Sequence, residues 1–308
     1  MKFGLYSSIA NPPRGEDLPR CVDEVIKEAQ LAEQAGFDSC FFGEHHQDKD
    51  GFLPSPLIVC AAVSASTSKL RVGTSVILLP LHHPVRLAED VVTLDIVSNG
   101  RVTLGVGLGY QHADFDAFGV DMENRVELFE EKVQIIRGCW SGREFSFNGQ
   151  HHEIKNLRVM PDPIQQPHPP IWIGASARVS ARRAANIGDA IVTTPSTTLD
   201  NTSQLIKEYK VAAEAAGKIP TPIIMRDAWI AKSKKEAEDI YGPEVLSAYR
   251  YYWKNGLREF QSIKDESELT LDRIAKDRLI MGDPEAVSYT HLRAHETEAD
   301  LVCRLLLE

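Results

Sequence analysis

Short apolar runs alternate with longer stretches of helical periodicity along almost the whole chain. Seven runs rich in Val, Ile, Leu and Phe predict β-strands, and their unbroken apolar character is typical of parallel strands buried on both faces. The predicted strands are Lys2–Ser8, Ser39–His45, Leu70–Leu79, Val102–Gly109, Ile171–Ser176, Ala190–Pro195 and Ile223–Ala231.

The stretches between these runs predict amphipathic helices. In the first of them, Val25, Ala29 and Ala32 recur at spacings of three and four, and Gly36 is placed to end the helix. Strand–helix alternation is typical of a parallel sheet covered by helices. Seven such units favour a (β/α)8 TIM barrel over an open doubly wound sheet, because no predicted strand runs into a G-x-G-x-x-G turn that opens a helix.

The C-terminal part of the chain departs from this regular alternation. Gly142–Pro170 and Gly242–Met281 are too long for simple loops, so we predict insertions with structure of their own. After Gly282 the sequence has no room for a complete eighth βα unit. We therefore expect one barrel domain over residues 1–286. The eighth unit is expected to be missing or replaced by residues 287–308, which resemble translated adapter sequence joined to a truncated gene.

Composition and charge exclude several classes of partner. The 308 residues carry 34 Lys plus Arg against 44 Asp plus Glu, a net charge of -10, which opposes binding to nucleic acid or to an anionic membrane. No apolar run reaches the roughly 18 residues of a membrane span. The five cysteines lie far apart without metal-type spacing, so we predict reduced thiols in a cytoplasmic protein.

The segment Glu44-His45-His46 lies at the carboxyl end of the second predicted strand. Barrel enzymes place their active sites at the carboxyl ends of the strands, so these three residues are candidates for chemistry. A metal site is the alternative. No further ligands at suitable spacing accompany the segment, and adjacent side chains on an extended strand end point to opposite faces. We therefore predict no metal site.

Several linked motifs give the chain a recognisable identity. They are Gly-Phe-Asp-x-x-x-Phe-x-Glu-His-His from Gly36, the run from Leu70 to Asp90, Leu-Asp-x-x-Ser-x-Gly-Arg-x-x-x-Gly-x-Gly from Leu94, and Pro-Pro-Ile-Trp-Ile-Gly-Ala-Ser from Pro169. This sequence resembles the bacterial luciferase-like flavin monooxygenase family over residues 1 to about 286. The resemblance implies a TIM barrel, a homodimer, and reduced FMN or, in one branch, coenzyme F420 at the carboxyl ends of the strands.

The resemblance also implies roles for particular residues. His45 matches the active-site histidine of the family, and an imidazole titrating near neutral pH suits general acid–base chemistry. Glu44 is grouped with it as a residue that orients a neighbour or ties the strand to the barrel interior. Thr74, Ser75 and Val76 match a bulge that presses against the flavin ring, with an expected cis peptide at Ser75–Val76.

A phosphate site is expected where the fifth predicted strand meets its helix. Small residues let the backbone approach a ligand, and the N–H groups of a first helical turn bind anions. The residues assigned to this site are Gly174, Ala175, Ser176 and Arg178. Ser176 is expected to donate a hydrogen bond to the phosphate, and Arg178 to pair with it.

The fourth predicted strand ends in Gly109 and Tyr110, which we also assign to the cofactor site. Light-emitting subunits of the family resemble this segment but carry Cys and Arg where Gly107 and Leu108 stand here. This departure removes a phosphate contact and keeps the F420 branch open.

The expected function is that of a two-component monooxygenase. Such an enzyme uses reduced FMN from a separate flavin reductase and transfers one atom of O2 to a small organic substrate. Two alternatives remain from the sequence. One is an F420-dependent dehydrogenase or reductase on the same fold, and the other is a non-catalytic flavin-binding protein.

Overall fold

The predicted strands form one curled parallel sheet. A computed structural model describes residues 2–7, 18–47, 54–288 and 300–304, the last segment by its backbone. The strands are β1 (Phe3–Ser7), β2 (Ser39–Phe42), β3 (Arg71–Thr74), β4 (Ile77–Leu78), β5 (Val102–Gly107), β6 (Phe145–Asn148), β7 (Glu153–Leu157), β8 (Ile171–Ala175), β9 (Ala190–Thr193), β10 (Pro222–Ile230), β11 (Leu279–Gly282) and β12 (Asp300–Arg304).

Helices cover the outside of the sheet. They are α1 (Leu18–Gln34), α2 (Pro56–Ser66), α3 (Pro84–Val97), α4 (His112–Phe118), α5 (Arg125–Cys139), α6 (Arg178–Ile187), α7 (Leu199–Ala215), α8 (Lys234–Lys254) and α9 (Leu271–Ala275). The apolar stripe predicted for α1 is the buried one, with Val25, Ala29 and Ala32 in the core. Gly36 has a positive φ of 85°, a conformation that favours glycine, at the turn that follows α1.

The parallel pairings run around the sheet in the order β1, β2, β3, β5, β8, β9 and β10. β4 continues β3 along β5, and β12 pairs with both β10 and β1. In the described part of the chain, the pairings therefore return to the strand from which they began. The predicted TIM-barrel class is confirmed. The carboxyl ends of its strands face one rim, where α/β barrels hold their sites.

The barrel wall is tightest between β3 and β5. A Cβ atom on Gly105 would lie 2.0 Å from the carbonyl oxygen of Thr74, so only glycine fits there. Between β3 and β4 the chain contains a cis peptide bond at Ser75–Val76, as the family resemblance predicts. This bulge lifts Ser75 and Val76 toward the rim.

Both predicted insertions have structure, but one begins later than expected. The first contains the antiparallel hairpin of β6 and β7. The second was predicted to start at Gly242. That boundary is wrong: α8 continues through Pro243 to Lys254. Tyr241 and Gly242 before the proline and Val245 after it are all buried, so packing on both sides of the proline holds the helix together.

The strand beside β1 and β10 comes from the C-terminal segment. Backbone residues 300–304 lie in the eighth position, within the residues 287–308 that the sequence analysis separates from the barrel domain. β1 and β10 are therefore paired on this side, whereas the sequence left a gap between them. Residues 289–299 and 305–308, where the rest of the tail prediction falls, lie outside the described residues.

Candidate active site

The strand ends surround a cavity of about 490 Å³ at the carboxyl rim of the barrel. Its walls come from the segments that follow β2, β3, β5, β8 and β9, together with the start of α5, part of α6 and the residues after α8. Residues separated by more than 200 positions therefore meet in one space.

Most of the predicted site residues lie on this cavity. Those that line it are Glu44, His45, Ser75, Val76, Gly109, Tyr110, Gly174, Ala175 and Ser176. His45 and Ser176, which the sequence assigns to proton transfer and to phosphate binding, share the same cavity. Thr74 and Arg178 are not among its lining residues.

Thr74 and Arg178 have other contacts. Thr74 is fully buried; its hydroxyl donates to the Gly105 carbonyl over 2.7 Å and accepts from the Gly105 N–H over 3.0 Å. It therefore joins β3 to β5 inside the wall. The Arg178 guanidinium donates to Gln204 Oε1 on α7 over 3.0 Å. The expected pairing of Arg178 with a phosphate is not supported by this placement, because the first turn of α6 directs its side chain to α7.

The two adjacent histidines separate, as their extended backbone predicts. His45 is half-buried on the cavity, with its ring 5.7 Å from the ring of Tyr251 at an angle of 85° and 6.0 Å from that of Tyr252. His46 turns away and packs on Phe118 at 4.8 Å. Of the two, His45 is placed to contact a ligand.

Glu44 is a buried carboxylate with three donors from this chain. Its Oε1 accepts from His46 Nε2 at 2.9 Å and from His82 Nε2 at 2.7 Å, and its Oε2 accepts from the Leu78 N–H at 2.5 Å. Burial by itself raises the pKa, but these hydrogen bonds outweigh it and hold the pKa of Glu44 at about 2. The same contact raises the pKa of His46. Glu44 thus connects the end of β2 to Leu78 in β4 and to His82 before α3.

His82 was not assigned to Glu44 from the sequence. The two residues are 38 positions apart, and a histidine before a helix start usually faces solvent. No pattern along the chain marks this contact, since it depends on the curvature of the sheet.

Small residues and the cis peptide form one wall of the cavity. A Cβ atom on Gly107 would lie 2.6 Å from Val76 Cγ2, and one on Gly174 would lie 3.4 Å from Val76 Cγ1. Ser75 is 8% exposed, and its hydroxyl oxygen is buried without a hydrogen-bond partner among the described residues. A flat ligand can approach the backbone here and can supply that partner.

The start of α6 forms an anion-binding corner. Ser176 and Ala177 precede the helix, and the backbone N–H groups of a first turn have no partner within their helix. Ser180 Oγ already accepts from the Ala177 N–H at 3.1 Å, so the N–H groups of the residues after Ala177 are the open ones. Arg125, at the start of α5, lines the same cavity.

Sequence reasoning missed several lining residues. Besides Arg125, they include Arg183, Thr194, Ser196 and Glu259. A signal existed for two of them, because Thr194 lies at the end of the predicted strand Ala190–Pro195 and Ser196 directly follows it, so both belong to the functional rim. Glu259 had no such signal, since it lies in a 3-10 turn after α8 whose position depends on the fold.

Aromatic residues after β5 and on α8 complete the cavity. Tyr249 and Phe260 are buried in a local core, while Tyr252 on the same helix as Tyr249 lines the cavity together with Tyr110.

The described residues contain neither a cluster of metal ligands nor a helix that could span a membrane. No group of three or more His, Cys, Asp or Glu side chains there has an arrangement that could hold a metal ion. Within the same residues, every helix is too short or too polar to cross a membrane.

Several known proteins are similar to this chain in sequence. The chain is 34% identical over 71% of its length to the uncharacterized protein y4vJ of Sinorhizobium fredii, covering 62% of that protein. It is 28% identical to the oxygenase component of the flavin-dependent trigonelline monooxygenase of Acinetobacter baylyi, covering 84% of this chain and 73% of that one. It is 27% identical to the F420-dependent glucose-6-phosphate dehydrogenase of Amycolatopsis mediterranei, covering 85% and 82%. The chain thus spans less than two thirds of the first of these relatives.

A solved structure and a family profile agree with these relatives. The crystal structure of the monooxygenase RslO1 from Streptomyces bottropensis superposes with a TM-score of 0.87 at 26% identity, over 100% of this chain and 92% of that chain. The profile of the luciferase-like monooxygenase family matches residues 1–298. With its barrel, its cis peptide at the rim and its shared cavity, this chain belongs to the luciferase-like monooxygenase family.

Proposed function

We propose that this protein is the oxygenase component of a two-component flavin monooxygenase. Reduced FMN would come from a separate reductase, and the substrate would be a small organic molecule. The observation that carries the proposal is the single cavity that His45 and Ser176 both line. A tricyclic ring beside His45 and a phosphate beside Ser176 need such a shared space.

The residues present fit FMN. The wall of Val76, Gly107 and Gly174 leaves room for a flat ring, and the buried Ser75 hydroxyl offers it a hydrogen bond. The phosphate would lie at Ser176 and the first turn of α6, a ten-residue helix. Arg125 would take the place that the sequence gave to Arg178, since Arg125 lines the cavity and Arg178 does not.

Reduced flavin, when bound, supplies the electrons with which one atom of O2 enters the substrate and the other leaves as water. The protein contributes a site from which water is excluded, and the pocket wall is mainly apolar. His45 lines the cavity, and its imidazole can take a proton from the reacting substrate and return it. Tyr251 and Tyr252 fix the orientation of its ring.

Replacement of His45 tests this role. His45→Ala is expected to lower kcat about 10²–10⁴-fold with little change in FMN affinity, because general acid–base catalysis contributes a factor of that size. Oxygen uptake is measured with enzymatically reduced FMN and a panel of small organic substrates. His83→Ala, at an exposed position outside the cavity, serves as the matched control. An unchanged kcat in His45→Ala would remove this histidine from the mechanism.

An F420-dependent hydride transfer is the second candidate, and the F420-dependent relative favours it. It would proceed without oxygen. Anaerobic reduction or oxidation of F420 by the protein, with no O2-dependent product from reduced FMN, would replace the first proposal with this one.

The protein is also proposed to act as a homodimer in a reducing compartment. Apolar side chains remain exposed on neighbouring outer helices, among them Leu31 at 60%, Ile58 at 72% and Val97 at 49%. A second copy would cover them. Cys40 and Cys60 are free thiols, as a reducing compartment allows. Sedimentation equilibrium at micromolar concentration distinguishes monomer from dimer.

A further inference from the structure

One part of the cavity wall has no role in the cofactor site described above. It consists of hydroxyl side chains after β9 and of Glu259 in the 3-10 turn after α8. Thr194 Oγ1 donates to Glu259 Oε1 over 3.1 Å, and Thr197 Oγ1 lies 3.4 Å from the same oxygen. Ser196 Oγ donates to Thr194 Oγ1 over 3.2 Å. Thr194, Ser196 and Glu259 all line the cavity.

The hydrogens of this cluster serve one carboxylate oxygen and leave the other without a donor. A hydroxyl group has a single hydrogen to donate. The hydrogens of Ser196, Thr194 and Thr197 are used within the cluster or on Oε1. Glu259 Oε2 is buried and has no hydrogen-bond partner among the described residues. A buried acceptor without a donor is unfavourable, so a ligand that brings a donor gains free energy here.

The tyrosine rings near Glu259 favour a donor with positive charge, while the two arginines that contact the hydroxyl cluster, Arg226 and Arg278, donate to the backbone carbonyls of Thr197 and Ser196. Tyr110 and Tyr252 line the same cavity, and tyrosine ring faces attract cations. Burial raises the pKa of Tyr110, with smaller contributions from Tyr252, Tyr251, Asp114 and Glu259, so the Tyr110 hydroxyl stays neutral. The contribution from Glu259 means that its carboxylate is close enough to interact with this hydroxyl. Within the described residues, no Lys, Arg or His forms an ion pair with Glu259; by contrast, the lining residue Arg183 pairs with Glu130 at 2.7 Å.

We propose that Glu259, with Tyr110 and Tyr252, forms a subsite for a positively charged nitrogen of the substrate. The substrate class is then an organic amine or another small cation with an N–H donor. The inference rests on the proposed function, since it assigns the substrate end of the same cavity. A charge-assisted hydrogen bond to a carboxylate contributes about 1.5–3 kcal/mol, which corresponds to roughly 10-fold to 100-fold in affinity.

Three probes of equal shape and different charge test the subsite. Cyclohexylamine is protonated at pH 7, cyclohexanol is neutral, and cyclohexanecarboxylate is negative. Their dissociation constants are measured by ligand-observed NMR on the full chain, with and without saturating oxidised FMN. We expect the cyclohexylammonium ion to bind at least about 10-fold more tightly than cyclohexanol, and the carboxylate to bind most weakly.

Glu259→Gln tests the charge of the subsite without disturbing the local structure. Glutamine keeps an oxygen that accepts from Thr194, so the hydroxyl cluster retains its acceptor while the charge is lost. We expect about 10-fold weaker binding of cyclohexylammonium, with unchanged binding of cyclohexanol and FMN. Glu123→Gln, at an exposed position outside the cavity, removes the same charge and is expected to change nothing.

The possible failures are distinguishable. Equal affinity of wild type and Glu259→Gln for cyclohexylammonium would overturn the subsite and leave the flavin proposal standing. Loss of FMN affinity in Glu259→Gln would also overturn it, because Glu259 would then contact the cofactor. If wild type binds no FMN, the proposed function fails, while the probe series without FMN still decides the cation subsite.

Discussion

Two carboxylates line the same cavity and differ in how their oxygens are used. Glu44 is 2% exposed, and both of its oxygens accept hydrogen bonds from Leu78, His46 and His82. Glu259 is half-buried, and among the described residues only its Oε1 has donors. A carboxylate whose oxygens are satisfied by its own chain stabilises the fold, whereas one with a buried oxygen left without a donor is suited to a ligand. The comparison therefore assigns structure to Glu44 and recognition to Glu259.

The largest expected effect is on stability at Glu44. Glu44→Ala removes the acceptor of three donors, and we expect the free energy of unfolding to fall by about 3–5 kcal/mol, as when one partner of a buried ionic contact is lost. Urea denaturation followed by circular dichroism measures it. Glu123→Ala, at an exposed site, is expected to change stability by less than about 0.5 kcal/mol. A small loss of unfolding free energy in Glu44→Ala would show that Glu44 does not have the structural role assigned to it.

The pH dependence of stability sharpens the assignment of Glu44. Hydrogen bonds in the folded state lower its pKa from 4.5 to about 2. A lowered folded-state pKa gives stability that is present above the unfolded pKa and is lost as the pH falls toward the folded one. We expect wild type to lose about 3 kcal/mol more than Glu44→Gln between pH 5 and pH 2. The free energy of unfolding is measured by urea titration at each pH. An equal loss between pH 5 and pH 2 in the two proteins would contradict this cause of the low pKa.

The smallest expected effect is on stability at Glu259. Glu259→Gln keeps the acceptor for Thr194, so we expect the free energy of unfolding to stay within about 0.5 kcal/mol of wild type. The same urea measurement decides it. A loss as large as that of Glu44→Ala would place Glu259 with the structural carboxylates and end the contrast between the two residues.

The sequence predicts the strands better than the contacts between their ends. All seven apolar runs form strands, because a strand buried on both faces must be apolar throughout. The Ser75–Val76 peptide followed from the family resemblance. Residues 300–304 lie in the tail that the sequence sets apart from the barrel domain, yet their backbone pairs with β1 and β10.

The sequence also locates site residues at strand ends better than those elsewhere. His45 and Ser176 are the last residues of predicted strands, so the rule that sites lie at carboxyl ends places them correctly on the cavity. Arg178 and Arg125 could not be told apart from the sequence. Both begin helices, and which guanidinium faces the cavity depends on how the helix sits against its neighbours. Glu259 and Thr194 are 65 positions apart, and their contact has no local signature.

The central claim is that one cavity holds a flavin ring near His45 and its phosphate at Ser176. Equilibrium titration of the full chain with oxidised FMN, followed by flavin absorbance, tests it most directly. We expect saturable one-site binding of FMN, and we expect Ser176→Ala to weaken it about 10-fold. Ser203→Ala, on the exposed face of α7, is expected to leave the affinity unchanged. Absence of saturable binding, or equal affinity in wild type and Ser176→Ala, would contradict the account.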